Sequence, residues 1–151
     1  EPFKMMQKYE TLEDIRRWIS GLYRKLLDTL EQLRIGGGVS KPTRSAIAYI
    51  RKNFHHNISL TEVAEAAGVS APYLSKLFKE ECGTGFADYL NEVRIGQAKR
   101  MIERGGMKLS EVAGRVGFNN YNYFCKVFKK LEDLTPVEYE KLCKSPGYGA
   151  S

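Results

Sequence analysis

Set out at 100° per residue, the chain from Asn120 onward separates into two faces. Tyr123, Phe124, Val127, Phe128 and Leu131 gather on one side; Tyr121, Asn122, Cys125, Lys126 and Lys129 gather on the other. The window Val116–Lys130 mixes five aromatics with three asparagines and three lysines, and a stacking surface for single-stranded nucleic acid would put aromatics and lysines on one face. Here they segregate. The pattern predicts a helix with an aromatic core side, led by Phe124 and Phe128, and a polar, cationic outer side.

The same period runs through most of the chain, and strand-type alternation is absent. Leu12, Ile15, Ile19, Leu22, Leu26, Thr29 and Leu33 step by three and four, a heptad register with one polar lapse at Thr29. Thr11 and Asp14 open that segment in a variant of the capping-box spacing. Trp18, Leu27 and Leu30 lie off the seam and widen the apolar stripe. Residues 1–36 therefore read as a long amphipathic linker or dimerisation helix, and 37–42, within "GGGVSKP", as a glycine-rich joint. Residues 43–144 form a second domain, opening with a helix over 43–54, and 145–151 a flexible tail.

That second domain repeats itself. Leu60, Glu62, Val63, Ala64 and Gly68 fall on Leu109, Glu111, Val112, Ala113 and Gly117. After one inserted residue, Tyr73, Lys76, Phe78, Lys79 and Tyr89 fall on Tyr123, Lys126, Phe128, Lys129 and Tyr139. Self-similarity at this length means two copies of one supersecondary unit. Between them "FADYLNEVRIGQAKRMIERG" reads as one continuous helix, with Gly96 a mild weakness inside it.

Each copy contains a short helix, a tight turn and a longer second helix. Gly68 and Gly117 sit where the turn needs a positive φ, which glycine adopts without steric cost. Ser59 and Glu62 make a capping box for the first short helix; Lys108 stands at the matching place in the second copy, where the cap is lost. Small Ala64 and Ala113 let the paired helices approach. These are the ingredients of a helix-turn-helix. In the first copy Tyr73, Leu74, Leu77 and Phe78 are expected inward, and Ala71, Pro72, Ser75, Lys76 and Lys79 outward.

Charge adds a partner to this picture. The 151 residues carry 24 Lys and Arg against 18 Asp and Glu, a net +6 that suits an anionic partner. Cys82, Cys125 and Cys143 stand singly, without a CxxC pair, which favours reduced thiols and a cytoplasmic setting. His55 and His56 have no acidic or thiol cluster at ligand spacing, so no metal is expected. No apolar run reaches the roughly 18 residues a membrane helix needs, and no signal peptide is legible. The start at Glu1-Pro2, without Met, suggests a fragment of a longer protein. No Ser/His/Asp set, carboxylate pair or phosphate loop points to catalysis, and no cofactor is implied.

The paired units, "YLNEVRIGQAKRMI" between them and the ending "VGFNNYNYFCKVFKKLEDLTPVEY" resemble the DNA-binding domain of AraC/XylS-type transcription regulators. The likeness covers Ser45 to Lys141. It implies an all-α fold: two helix-turn-helix units joined by a long linker helix, here preceded by the long amphipathic N-terminal helix. It implies sequence-specific binding of double-stranded DNA, with both second helices in successive major-groove segments. RNA polymerase and a second copy of the chain, through the N-terminal helix, are the further partners considered. The glycine joint after a long helix is similar to AraC-type response regulators, in which a receiver domain lies N-terminal; a ligand-sensing domain is the other option.

Carried over by position, the base-reading residues are Pro72, Ser75 and Lys76 in the first unit and Tyr121, Asn122, Cys125 and Lys126 in the second. Ser70, Lys79, Asn120 and Lys129 are expected at phosphates. Arg94 matches an arginine usual in the linker helix and is read as structural or phosphate-facing. Asp133 replaces a usual glycine before "TP", tolerable because Asp accepts the left-handed conformation better than most residues. Ala71-Pro72 gives the first recognition helix little polar reach. Two rival readings stand beside this one: a DNA-alkylation repair methyltransferase module using Cys125, and an AraC-like protein-interaction module without DNA binding.

Overall fold

The computed structural model describes residues 15–16, 19–26, 29–30 and 39–145. The chain divides into two units, Glu1–Ser40 and Lys41–Ser151. In the first, the described residues from 15 to 30 are helical, and Ile19, Leu22, Tyr23, Leu26 and Leu30 are exposed. The Thr11–Asp14 cap, Leu12, Trp18, Leu27, Leu33 and the glycines of the joint lie outside the described residues, as does the tail beyond Ser145.

The second unit is built from α1 (Lys41–Asn53), α2 (Leu60–Ala67), α3 (Ala71–Cys82), α4 (Phe86–Arg104), α5 (Leu109–Arg115), α6 (Tyr121–Glu132) and α7 (Pro136–Cys143). Among the described residues there is no strand. Helix α1 begins inside the expected joint, at Lys41 rather than Thr43. Pro42 permits this, because a first-turn N–H has no intrahelical partner to lose.

Local chemistry sets the other ends. Ser59 Oγ accepts from the Glu62 N–H at 3.2 Å while Glu62 Oε2 accepts from the Ser59 N–H at 3.2 Å, closing the capping box on α2. Lys108 provides no side-chain cap for α5. Gly68 ends α2 at φ +73°, and Gly117 turns the chain before α6 at φ +103°. Asp133 ends α6 in the left-handed region at φ +61°, where the first copy uses Gly83 at φ +75°.

The repeat is therefore physical: α2–turn–α3 and α5–turn–α6 are two helix-turn-helix units. Helix α1 packs on α2 and α3, while α4 packs on α5, α6 and α7 and touches α3. At ~1.5 Å per residue, α4 is about 28 Å long, a rod between the two units. Each unit closes on the same aromatic pair. Phe78 meets Tyr89 edge-on with centroids 5.1 Å apart, and Phe128 meets Tyr139 at 5.6 Å. Leu74, Phe78, Phe124 and Phe128 are fully buried, and Ala64 and Ala113 sit nearly sealed between their helices. Lys99 of α4 pairs with Glu132 of α6 at 3.1 Å, and the Tyr139 hydroxyl donates to the Glu103 carboxylate.

Candidate nucleic-acid interface

Helices α3 and α6 bury one face and leave the other open. On α3 and its cap, Ser70, Pro72, Ser75, Lys76 and Lys79 are exposed. On α6 and its cap, Asn120, Tyr121, Asn122, Lys126 and Lys129 are exposed, and Cys125 is half-buried among them. The structure thus brings the residues of each expected set onto one outer arc per helix.

Both cap residues already hold their helices. Ser70 Oγ accepts from the Tyr73 N–H at 3.3 Å, and Asn120 Oδ1 accepts from the Tyr123 N–H at 2.9 Å. A hydroxyl and an amide each keep donors after accepting such a bond, so capping and a phosphate contact are compatible.

Two aromatic residues depart from the expected pattern. Tyr73 and Tyr123, placed inward by periodicity, are 50% and 53% exposed. Both are third in their helices, where the side chain tilts toward the N-terminus and past the edge of the packed core. Leu77 is half-buried. Tyr123 keeps partial cover: its ring lies 5.9 Å from Phe118 and its hydroxyl accepts from Asn91 Nδ2 at 3.4 Å.

Arg94 does not share the outer arcs. It is only 9% exposed. Its Nε donates to the Phe54 carbonyl at 2.8 Å and its Nη2 to the His56 carbonyl at 2.9 Å. The guanidinium also lies over the Phe118 ring, 5.6 Å from its centroid. Burial lowers its pKa, and the nearby Tyr123 opposes that shift. Of the two roles considered for Arg94, these hydrogen bonds fit the structural one, while the guanidinium also borders the cleft beside α6.

A cleft of about 420 Å³ runs beside the start of α6. Asn122, Asn120 and Lys126 line it, as expected of an interface, but so do Asn57 and Asn119, which periodicity did not single out. Asn57 is remote in sequence and sits in a loop, where no helical phase applies. The neighbouring asparagines of "FNNYN" were the one available signal for Asn119.

Cys125 is a free thiol beside Tyr121. Burial raises the Tyr121 phenol, and hydrogen bonding with Cys125 adds to the rise. Cys143, also a free thiol, is raised by burial first and by Glu103 second.

The family profile described as "Helix-turn-helix domain" matches residues 63–142, more than half the chain. An uncharacterised HTH-type transcriptional regulator of Pseudoalteromonas carrageenovora, from the region 5′ of cgkA, is 37% identical over 115 residues. That match takes in 76% of this chain and 66% of the relative, so the chain spans less than two-thirds of that regulator's length. The C-terminal domain of AraT, a response regulator from Geobacillus stearothermophilus, superposes with a TM-score of 0.67 at 33% identity, over 70% of this chain and 88% of that one. The DNA-binding domain of AdpA, solved with a target DNA, shares the fold: TM-score 0.64, 24% identity, 68% of this chain and 93% of that one. These are regulators rather than enzymes, and neither the repair-methyltransferase nor the interaction-module reading gains support. The chain belongs to the helix-turn-helix domain family and is an AraC/XylS-type DNA-binding domain of the transcription regulators.

Proposed function

We propose that α3 and α6 enter successive major-groove segments on one face of double-stranded DNA and read its sequence there. The observation that carries this is the matched pair of outer arcs, one on each copy of the repeat, with α4 between them. An α-helix fits the major groove, and residues near its N-terminus reach base edges. Pro72, Ser75 and Lys76 face bases in one half of the site; Tyr121, Asn122, Cys125 and Lys126 face them in the other. Ser70, Lys79, Asn120 and Lys129 hold phosphates beside them. The AdpA domain, alike in fold, is solved with a target DNA, which supports the reading.

For the whole regulator, the likeness to the AraT domain favours a response regulator; a cytoplasmic setting and RNA polymerase as a further partner belong to the same proposal. The exposed seam residues Ile19, Leu22 and Leu26 support pairing with a second copy through the N-terminal helix. No described helix is long and apolar enough to cross a membrane. Selection of bound duplexes from a random pool tests the main reading. Two conserved blocks about one DNA turn apart are expected; a single short block, or none, would overturn it.

A further inference from the structure

Asn57 lies outside both helix-turn-helix units, in the loop between α1 and α2. It nevertheless lines the cleft beside α6 with Asn119, Asn122 and Lys126. The loop is fixed there from two sides. Arg94 binds the carbonyls of Phe54 and His56 from the linker helix. Gly117 lets the turn before α6 come so close that a Cβ on it would stand 2.7 Å from the Phe54 carbonyl oxygen. The cleft therefore exists before any ligand arrives.

Its chemistry is one-sided. Lys126 and Arg94 bring positive charge, while Asn57, Asn119, Asn122 and Tyr123 bring amide and phenol donors. None of the lining residues is Asp or Glu. The cleft also opens at the start of α6, the end of the helix whose dipole favours an anion. Its about 420 Å³ falls within the range of roughly 300–1,000 Å³ usual for ligand sites.

We infer that this cleft seats a phosphodiester of the DNA strand bordering the groove that α6 enters, with Asn57 and Asn119 as contacts beyond the recognition helix. The inference rests on α6 entering the groove. DNA is the occupant because Asn122 and Lys126 belong both to the cleft and to the outer arc of α6, so an anion seated here lies against the side chains that meet the duplex. A loop preceding the first unit thus serves the half-site of the second.

Ethylation interference and equilibrium binding on a selected duplex and on a scrambled one test this, with Asn57→Ala, Asn57→Asp, Asn119→Ala and Lys126→Ala. Asn57→Ala should weaken both duplexes about tenfold to a hundredfold, the loss of one hydrogen bond to a charged group. It should also erase interference at one phosphate in the α6 half, and Asn57→Asp should weaken binding further by repulsion. Unchanged affinity and interference in both asparagine variants would overturn the inference. Should Lys126→Ala alone lose affinity, the cleft assignment falls while the reading of α6 stands. If the wild-type protein shows no interference in the α6 half, both fall. Inorganic phosphate covers the other source of the same chemistry. A Tm rise with phosphate that Asn57→Ala abolishes, its DNA affinity intact, would make the occupant a free anion and overturn the DNA assignment.

Discussion

Arg94 reaches out of the linker helix to the Phe54 carbonyl, Nε to oxygen 2.8 Å, and so ties the loop after α1 to the rod that spaces the two DNA-binding units. Its Nη2 takes the His56 carbonyl in the same loop. Removing it leaves those carbonyls without that donor. Arg94→Ala should lower unfolding free energy by about 3 kcal/mol, since a hydrogen bond to a charged group contributes ~1.5–3 kcal/mol. Arg94→Lys should recover only part, because an ammonium lacks the guanidinium's fixed fork. Urea denaturation reads both; a loss no larger than that of a surface substitution would contradict the clamp.

The two matched turn glycines should respond unequally. An added Cβ at Gly68 meets nothing within 4 Å, so Gly68→Ala should cost only the left-handed backbone, about 1–2 kcal/mol. At Gly117 the same Cβ strikes the Phe54 carbonyl oxygen at 2.7 Å and Arg94 Nε at 2.8 Å. Gly117→Ala should therefore cost a further ~1–3 kcal/mol for forcing the loop and turn apart. Equal shifts in thermal unfolding would mean the close approach carries no energy.

Lys76 and Lys126 hold equivalent places on α3 and α6, and each can pair with a guanine edge, a contact worth about 1–3 kcal/mol of discrimination. Lys126→Ala should relax base preference in one half of the site and Lys76→Ala in the other half, about one DNA turn away. The check is repeated duplex selection with each variant. Losses that ignore sequence in both would make these lysines phosphate contacts only.

Salt should weaken duplex binding steeply, because neutralised phosphates release counterions. Each of Lys79→Ala and Lys129→Ala should flatten the log–log salt slope by about 0.9. Fluorescence anisotropy across low to moderate salt measures it, and a slope unchanged in both variants would remove them from the backbone contacts.

Leu22 lies mid-way along the exposed apolar row of the N-terminal helix. A charge there should prevent two such helices from packing. Leu22→Glu should convert dimers to monomers in sedimentation and weaken binding to tandem sites more than to single ones. A wild-type protein that already sediments as a monomer would end the dimer proposal.

Much of this was legible because it is local. The Ser59–Glu62 box, the positive φ of Gly68, Gly117 and Asp133, and the extent of α4 follow from contacts within a few residues of each position. A duplicated pattern of such local rules also exposes the repeat, and with it the two outer arcs. The first turn of a helix escapes periodicity, however. Tyr73 and Tyr123 fall on the apolar side by angle, yet the core ends before it reaches them, and only the packed neighbours decide where a core ends.

Arg94 and Asn57 lie further from what a sequence can say. A helical wheel places Arg94 on α4 but not the Phe54 and His56 carbonyls, 38 to 40 residues away, that absorb its donors. Nothing near Asn57 marks it, since its neighbours in space include the turn and start of α6, 60 or more residues on. Periodicity and capping set the helices, their ends and which side of each faces out, because those depend on the residue and its neighbours along the chain. How the loop after α1, the linker helix and the second unit close around one cleft depends on long-range packing through Gly117 and Arg94, and that only the tertiary structure decided.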